Sequence, residues 1–65
     1  MKAGQMIVCN NIRTGAKTAR LIKRVTPSGK KVTVVREDWK TGQAEFYFQP
    51  TTGVWKCEYA SEVFA

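Results

Sequence analysis

The residues able to do covalent or acid–base chemistry in this 65-residue chain are few and scattered. There is no histidine, so neither Cys9 nor Cys57 has an imidazole base to activate it as a nucleophile. The two cysteines also lie too far apart in sequence to form a metal-binding signature. The adjacent acids Glu37 and Asp38 would alternate faces in a strand. We therefore expect a protein that is not an enzyme and that uses no metal or other cofactor.

The charges of the chain are segregated along the sequence. Through Arg36 there are nine Lys or Arg residues and no acid, whereas two basic and five acidic residues follow. The two parts carry +9 and −3, giving the net charge of +6. Such a concentrated positive field attracts polyanions and steers their approach.

The candidate binding residues are cations and rings expected at the surface: Arg13, Lys17, Arg20, Lys23, Arg24, Lys30, Lys31, Arg36, Trp39 and Tyr47. In a regular second strand, Arg20, Ile22 and Arg24 would share one face, and Arg13 and Arg36 on neighbouring strands would widen it. Such a surface could neutralise the phosphates of DNA or RNA, with release of counterions. We therefore expect nucleic acid as the partner; the alternatives are that the surface meets an acidic protein surface or serves only solubility.

The aromatic residues bear on this choice. Trp39 lies in a charged turn and is the ring expected to be most exposed, and Tyr47 is expected to point outward. Exposed rings stack on nucleic-acid bases, but they also anchor protein interfaces. The acids beside Trp39 would repel phosphate, so this ring favours a protein partner, whereas the basic second strand favours nucleic acid.

The periodicity of the apolar residues predicts one domain, spanning residues 1–65, with five strands at 5–13, 18–26, 31–36 (or to 38), 44–49 and 54–59. Glycine turns separate the strands, and residues 60–65 are expected to form one helical turn or a last short strand. Ile22 and Val25 are three residues apart, which suggests a β-bulge between them. Short strands with glycine turns indicate an all-β sandwich or barrel, and so short a chain favours the barrel, since closure removes exposed edges.

The predicted core gathers the apolar residues of one face of each strand: Met6, Val8, Leu21 or Ile22, Val25, Val32, Val34, Phe46, Phe48 and Trp55.

Residues 21–34 read as strand, tight turn and strand, and residues 46–55 as an aromatic strand that turns through Thr52-Gly53 into another strand. In these stretches the chain resembles small SH3-like β-barrel proteins of short bacterial and phage open reading frames. The resemblance implies a five-stranded, strongly bent antiparallel barrel, a fold that binds DNA, RNA, peptides or proteins. It suggests, as an alternative to nucleic-acid binding, a phage-type regulator that docks on a larger host protein. It also implies that Cys9 lies near Cys57.

The chain has no apolar run approaching the roughly 20 residues of a membrane span, and its N-terminus has no apolar signal-peptide core. We therefore expect a cytoplasmic protein without membrane or small-molecule partners. In that compartment Cys9 and Cys57 should be free, at least partly buried thiols, whereas an exported chain could join them in a disulfide.

Overall fold

The computed structural model describes residues 1–65 and contains six strands. They are β1 (Met6–Asn11), β2 (Lys17–Val25), β3 (Lys31–Val35), β4 (Gln43–Gln49), β5 (Val54–Cys57) and β6 (Glu62–Phe64). Each strand pairs antiparallel with the next, and β6 pairs with β1, so the sheet closes into a barrel. The predicted all-β barrel is confirmed. The strand count is six rather than five, because the tail takes the second of its two expected forms, a last short strand, which is β6 and closes the barrel.

The tight turns between strands depend on local chemistry that is visible in the sequence. Gly15 and Gly29 have φ angles of 78° and 71°, a left-handed conformation that other residues adopt only with strain. In the β1–β2 turn, the side-chain oxygen of Asn11 also accepts hydrogen bonds from the backbone N–H groups of Arg13 and Thr14, at 2.9 and 3.1 Å. These turns fix the register of the strands that they connect.

A β-bulge in β2 determines which of its side chains face the core. Ile22 pairs with Val34, but the next pairing joins Arg24 to Thr33, so Lys23 is an extra residue. The bulge expected in this region is confirmed. Because the bulge shifts the alternation, Ile22 and Val25, three residues apart, both face the core, whereas a regular strand would have placed Ile22 on one face with Arg24. Of the two core alternatives, Leu21 or Ile22, the structure buries Ile22.

The core contains Cys9, Ile22, Val32, Val34, Ala44, Phe46, Trp55, Cys57 and Phe64, and Val25 packs against it. The prediction was wrong for Met6 and Val8, which are 58% and 57% exposed. The inner face of β1 is formed by Ile7 and Cys9 instead. Both alternating sets of β1 are apolar, so periodicity could not decide which face of the strand packs against the core. Exchanging one face for the other reverses every side chain of the strand.

The aromatic side chains of the core form a connected series. Phe64 lies 5.1 Å from Phe46 between ring centroids and stacks on Trp55 at 5.7 Å, and Trp55 in turn contacts Phe48 at 5.3 Å. Phe48 lies at the end of this series and remains 40% exposed, so its prediction as a core residue was also wrong. Phe64 belongs to the core because β6 brings it into the barrel.

Candidate binding surfaces

The eight cations predicted to form one basic surface fall into three groups. Exposed side chains belong to Arg13, Lys17, Lys23, Arg24 and Lys30. Lys31 is half-buried, with its Nζ 3.1 Å from Glu45 Oε2. The remaining two, Arg20 and Arg36, are turned toward an acid.

Glu62 holds both of these arginines at the barrel wall. Its carboxylate accepts two hydrogen bonds from Arg20, at 2.9 Å from Nε and 2.8 Å from Nη2, and lies 2.9 Å from Arg36 Nη1. The hydrogen bond from Arg20 to Glu62 raises the pKa of Arg20. The buried Arg36 Nη1 makes no aligned hydrogen bond, so its contact with Glu62 is a close charge pair. Arg20 and Arg36 were predicted to lie on one continuous basic surface, but this buried acid draws them away from it.

The outer face of β1 and β2 carries an apolar strip, which we define as Met6, Val8, Ala19 and Leu21. Met6 pairs with Leu21 and Val8 with Ala19, so the four side chains share one face. All four are exposed, Leu21 at 40%. Three of these residues, Met6, Val8 and Leu21, could be assigned to the core from periodicity. The fourth is an alanine.

Positive charge stands at both ends of the apolar strip. Lys17 begins β2, and Arg13 lies in the turn before it. Arg24 lies near the other end of β2, about 23 Å from Lys17 at the usual rise per residue. Lys23, beside Arg24, is exposed and donates from Nζ to Gln43 Oε1 at 2.9 Å. The outer face of β1–β2 thus has an uncharged apolar centre and basic ends. The sequence feature that indicates this apolar centre is the second alternating apolar set of β1, Met6 and Val8. This set is as regular as Ile7 and Cys9, which face the core.

The predicted surface rings differ in their exposure. Trp39, expected to be the most exposed ring, is instead half-buried against the core, and the Arg36 guanidinium lies 4.5 Å from its ring centroid. Tyr47 is exposed as predicted, and its hydroxyl lies 3.4 Å from Glu58. Desolvation raises the pKa of Tyr47, and the negative charge of Glu58 adds to the effect. The most exposed ring, at 80%, belongs to Tyr59, which the sequence reasoning did not single out.

Both cysteines are buried free thiols, as expected, and packed in the core. Burial raises the pKa of Cys9 to about 11, and the nearby charge of Glu62 acts in the same direction. The charge of Cys57 also contributes, which agrees with the expected proximity of the two residues. Cys9 is therefore protonated at neutral pH, which suits a small apolar core residue rather than a nucleophile.

No group of three or more His, Cys, Asp or Glu side chains is arranged to hold a metal ion. The chain contains no helix with the length and apolar character needed to span a membrane. No protein-family model, curated protein or solved structure matches the chain.

Proposed function

We propose that this chain is a small non-enzymatic binding protein that docks on an acidic surface of a larger protein through the outer face of β1 and β2. The observation that carries the proposal is the apolar strip with basic residues at both ends. Contiguous exposed apolar side chains mark interaction sites, and protein interfaces characteristically combine an apolar centre with a polar rim. Met6 at the strip also suits an adaptable contact, since methionine adjusts its shape to a partner.

The charges at the ends of the strip select the kind of partner. A second copy of the chain bound symmetrically through the same face would bring basic ends against basic ends. An acidic partner surface would instead complement Lys17 on one side and Lys23 and Arg24 on the other. We therefore expect a monomer that recognises a different, acidic protein.

Nucleic acid is the second candidate, and the exposed cations support it. Arg13, Lys17, Lys23, Arg24 and Lys30 are all exposed on the surface and could contact phosphates. In addition, Lys31 Nζ lies 5.9 Å from the ring centroid of Tyr47, which places charge beside an exposed ring. The apolar strip, however, lies in the middle of the face and gains nothing from phosphate, so we place the protein partner first.

The fold resemblance extends the proposal. The closed six-stranded barrel is compatible with an SH3-like type, and we propose that this is its type. A small barrel of the kind found in short phage open reading frames suits a regulator that acts on a host protein. Its buried free thiols suit the reducing cytoplasm.

A capture experiment tests the proposal and separates the two candidates. Tagged protein is incubated with a bacterial lysate, with and without nuclease, and compared with a double variant, Val8→Ser with Leu21→Ser. The matched control is Ile12→Ser, which removes an exposed apolar side chain outside the strip. We expect a protein partner that survives nuclease, is retained by Ile12→Ser and is lost with the double variant.

Two outcomes contradict the proposal. A partner that disappears on nuclease treatment indicates bridging nucleic acid, which a gel-shift titration at low salt would then have to confirm against an unrelated protein of equal charge. A partner retained by the double variant shows that the apolar strip does not form the contact.

A further inference from the structure

A cavity of about 540 Å³ lies between the β3–β4 turn and the segment that follows β5. Its lining includes two aromatic residues, Trp39 and Tyr59, and two acids, Glu45 and Glu58. We propose that this cavity binds the guanidinium group of an arginine. The site is distinct from the apolar strip and does not depend on the function proposed above.

Tyr59 supplies a ring surface on which a flat cation stacks, and Trp39 forms a fixed wall of the cavity. Trp39 is half-buried and packed against the core. One face of its ring is already covered by the Arg36 guanidinium, 4.5 Å from the ring centroid, so the stacking of a ligand depends on Tyr59. Tyr59, by contrast, is 80% exposed and therefore open to contact with a ligand. Guanidinium groups bind favourably over such ring faces.

The two acids supply negative charge in a chain that is otherwise strongly basic. The backbone N–H of Glu58 donates to the carbonyl oxygen of Glu45 at 3.1 Å, which holds the two residues side by side. Glu45 is paired with Lys31, whereas Glu58 has no cationic partner and only a long hydrogen bond, 3.4 Å, from the Tyr47 hydroxyl. Glu58 is thus the carboxylate available to an incoming cation.

The combination favours guanidinium over other ligands. A guanidinium is planar, carries five N–H donors and can engage a carboxylate with two parallel hydrogen bonds while its face stacks on a ring. An ammonium group offers no such plane, and an anion would be repelled by the acids. The lining residue Lys40 reduces the negative charge, so hydrogen bonding to Glu58 and stacking, rather than net charge, must carry the affinity.

The test is an NMR titration of the ¹⁵N-labelled protein with Nα-acetyl-arginine methylamide. The corresponding citrulline compound, which has nearly the same shape without the charge, and the lysine compound serve as comparison ligands. We expect the arginine compound to shift the Trp39 indole and the Glu58 and Tyr59 amide signals, with the citrulline compound without effect. Arginine embedded in a short neutral peptide is titrated in parallel, and tighter binding of the peptide than of the single residue identifies a protein source for the ligand.

Variants assign the contacts. Glu58→Gln should weaken binding at least about five-fold, and Tyr59→Ala about three-fold, while Glu37→Gln, which makes the same charge change outside the cavity, should have no effect. Since Glu58 and Tyr59 are exposed, these variants should fold, which their spectra will verify. Equal binding of citrulline, stronger binding of lysine, or an equal loss in Glu37→Gln would overturn the assignment.

Discussion

Arg20 and Glu62, separated by 42 residues in the chain, form a two-pronged ion pair with N–O distances of 2.9 and 2.8 Å. Arg36 approaches the same carboxylate and also pairs with Asp38, 3.2 Å from its Nε, so a single acid on the short strand β6 contacts cations from two other parts of the chain. These contacts give β6 a polar attachment to the barrel in addition to the apolar one made by Phe64. They also remove two arginines from the surface that a partner could reach.

Replacing Glu62 should destabilise the fold strongly. Glu62→Gln keeps the size of the side chain but leaves the largely buried Arg20 guanidinium without its counter-charge and leaves Arg36 with only the exposed Asp38, which should lower the free energy of unfolding by about 3 kcal/mol. Urea denaturation measures this change, with Glu37→Gln as the control at an exposed acid, expected within about 0.5 kcal/mol of wild type. Equal effects of the two substitutions would show that the buried ion pairs do not stabilise the barrel.

Leu21 and Ile22 are neighbours of the same size whose truncation should have very different effects. Ile22 is 1% exposed in the core, so Ile22→Ala should lower the free energy of unfolding by about 2–5 kcal/mol. Leu21 belongs to the exposed apolar strip, so Leu21→Ala should cost less than about 1 kcal/mol. Thermal or urea unfolding of the two variants checks the assignment, and a larger loss for Leu21→Ala would mean that β2 presents its other face to the core.

The stability of the fold should fall at alkaline pH because of Cys9. The pKa of Cys9 is raised from its ordinary value of 9.0 to about 11, so the unfolded chain releases this proton at a pH where the folded chain retains it. The raised pKa of Cys9 contributes at most about 2–3 kcal/mol to the free energy of unfolding. This contribution is complete below about pH 9 and is lost as pH rises toward about 11. Unfolding of the reduced protein across this range should show a steeper decline for Cys57→Ala, which keeps Cys9, than for Cys9→Ala. Parallel declines would contradict the assignment.

Much of the fold could be predicted because its signals are local. Glycine turns, the apolar alternation of β3 and the unequal spacing of Ile22 and Val25 all act within a few residues. The face of β1 could not be predicted, since Met6 and Val8 alternate as regularly as Ile7 and Cys9. The binding surface was harder to predict for a different reason. Whether the Arg20 side chain is free to contact a partner depends on its ion pair with Glu62, and no local sequence pattern links residues so far apart.

The state of the thiols can be tested by mass spectrometry. Cys9 and Cys57 are separate free thiols, so protein prepared without reductant, denatured and treated with an alkylating reagent should gain two alkyl groups per chain. A gain of none, with two recovered only after reduction, would reveal a disulfide and contradict the proposed cytoplasmic location.

The central claim, that the outer face of β1–β2 docks on another protein, is tested most directly by site-specific photo-crosslinking. A photoreactive amino acid is placed at Val8 in the apolar strip, or at Thr51 in the exposed β4–β5 turn as a control, and each protein is irradiated in a nuclease-treated bacterial lysate. We predict a discrete protein adduct from position 8 that is absent from position 51 and is suppressed by Arg24→Glu. Equal labelling from both positions would contradict the claim. So would an adduct at position 8 that forms with nucleic acid in an untreated lysate and disappears when the lysate is treated with nuclease.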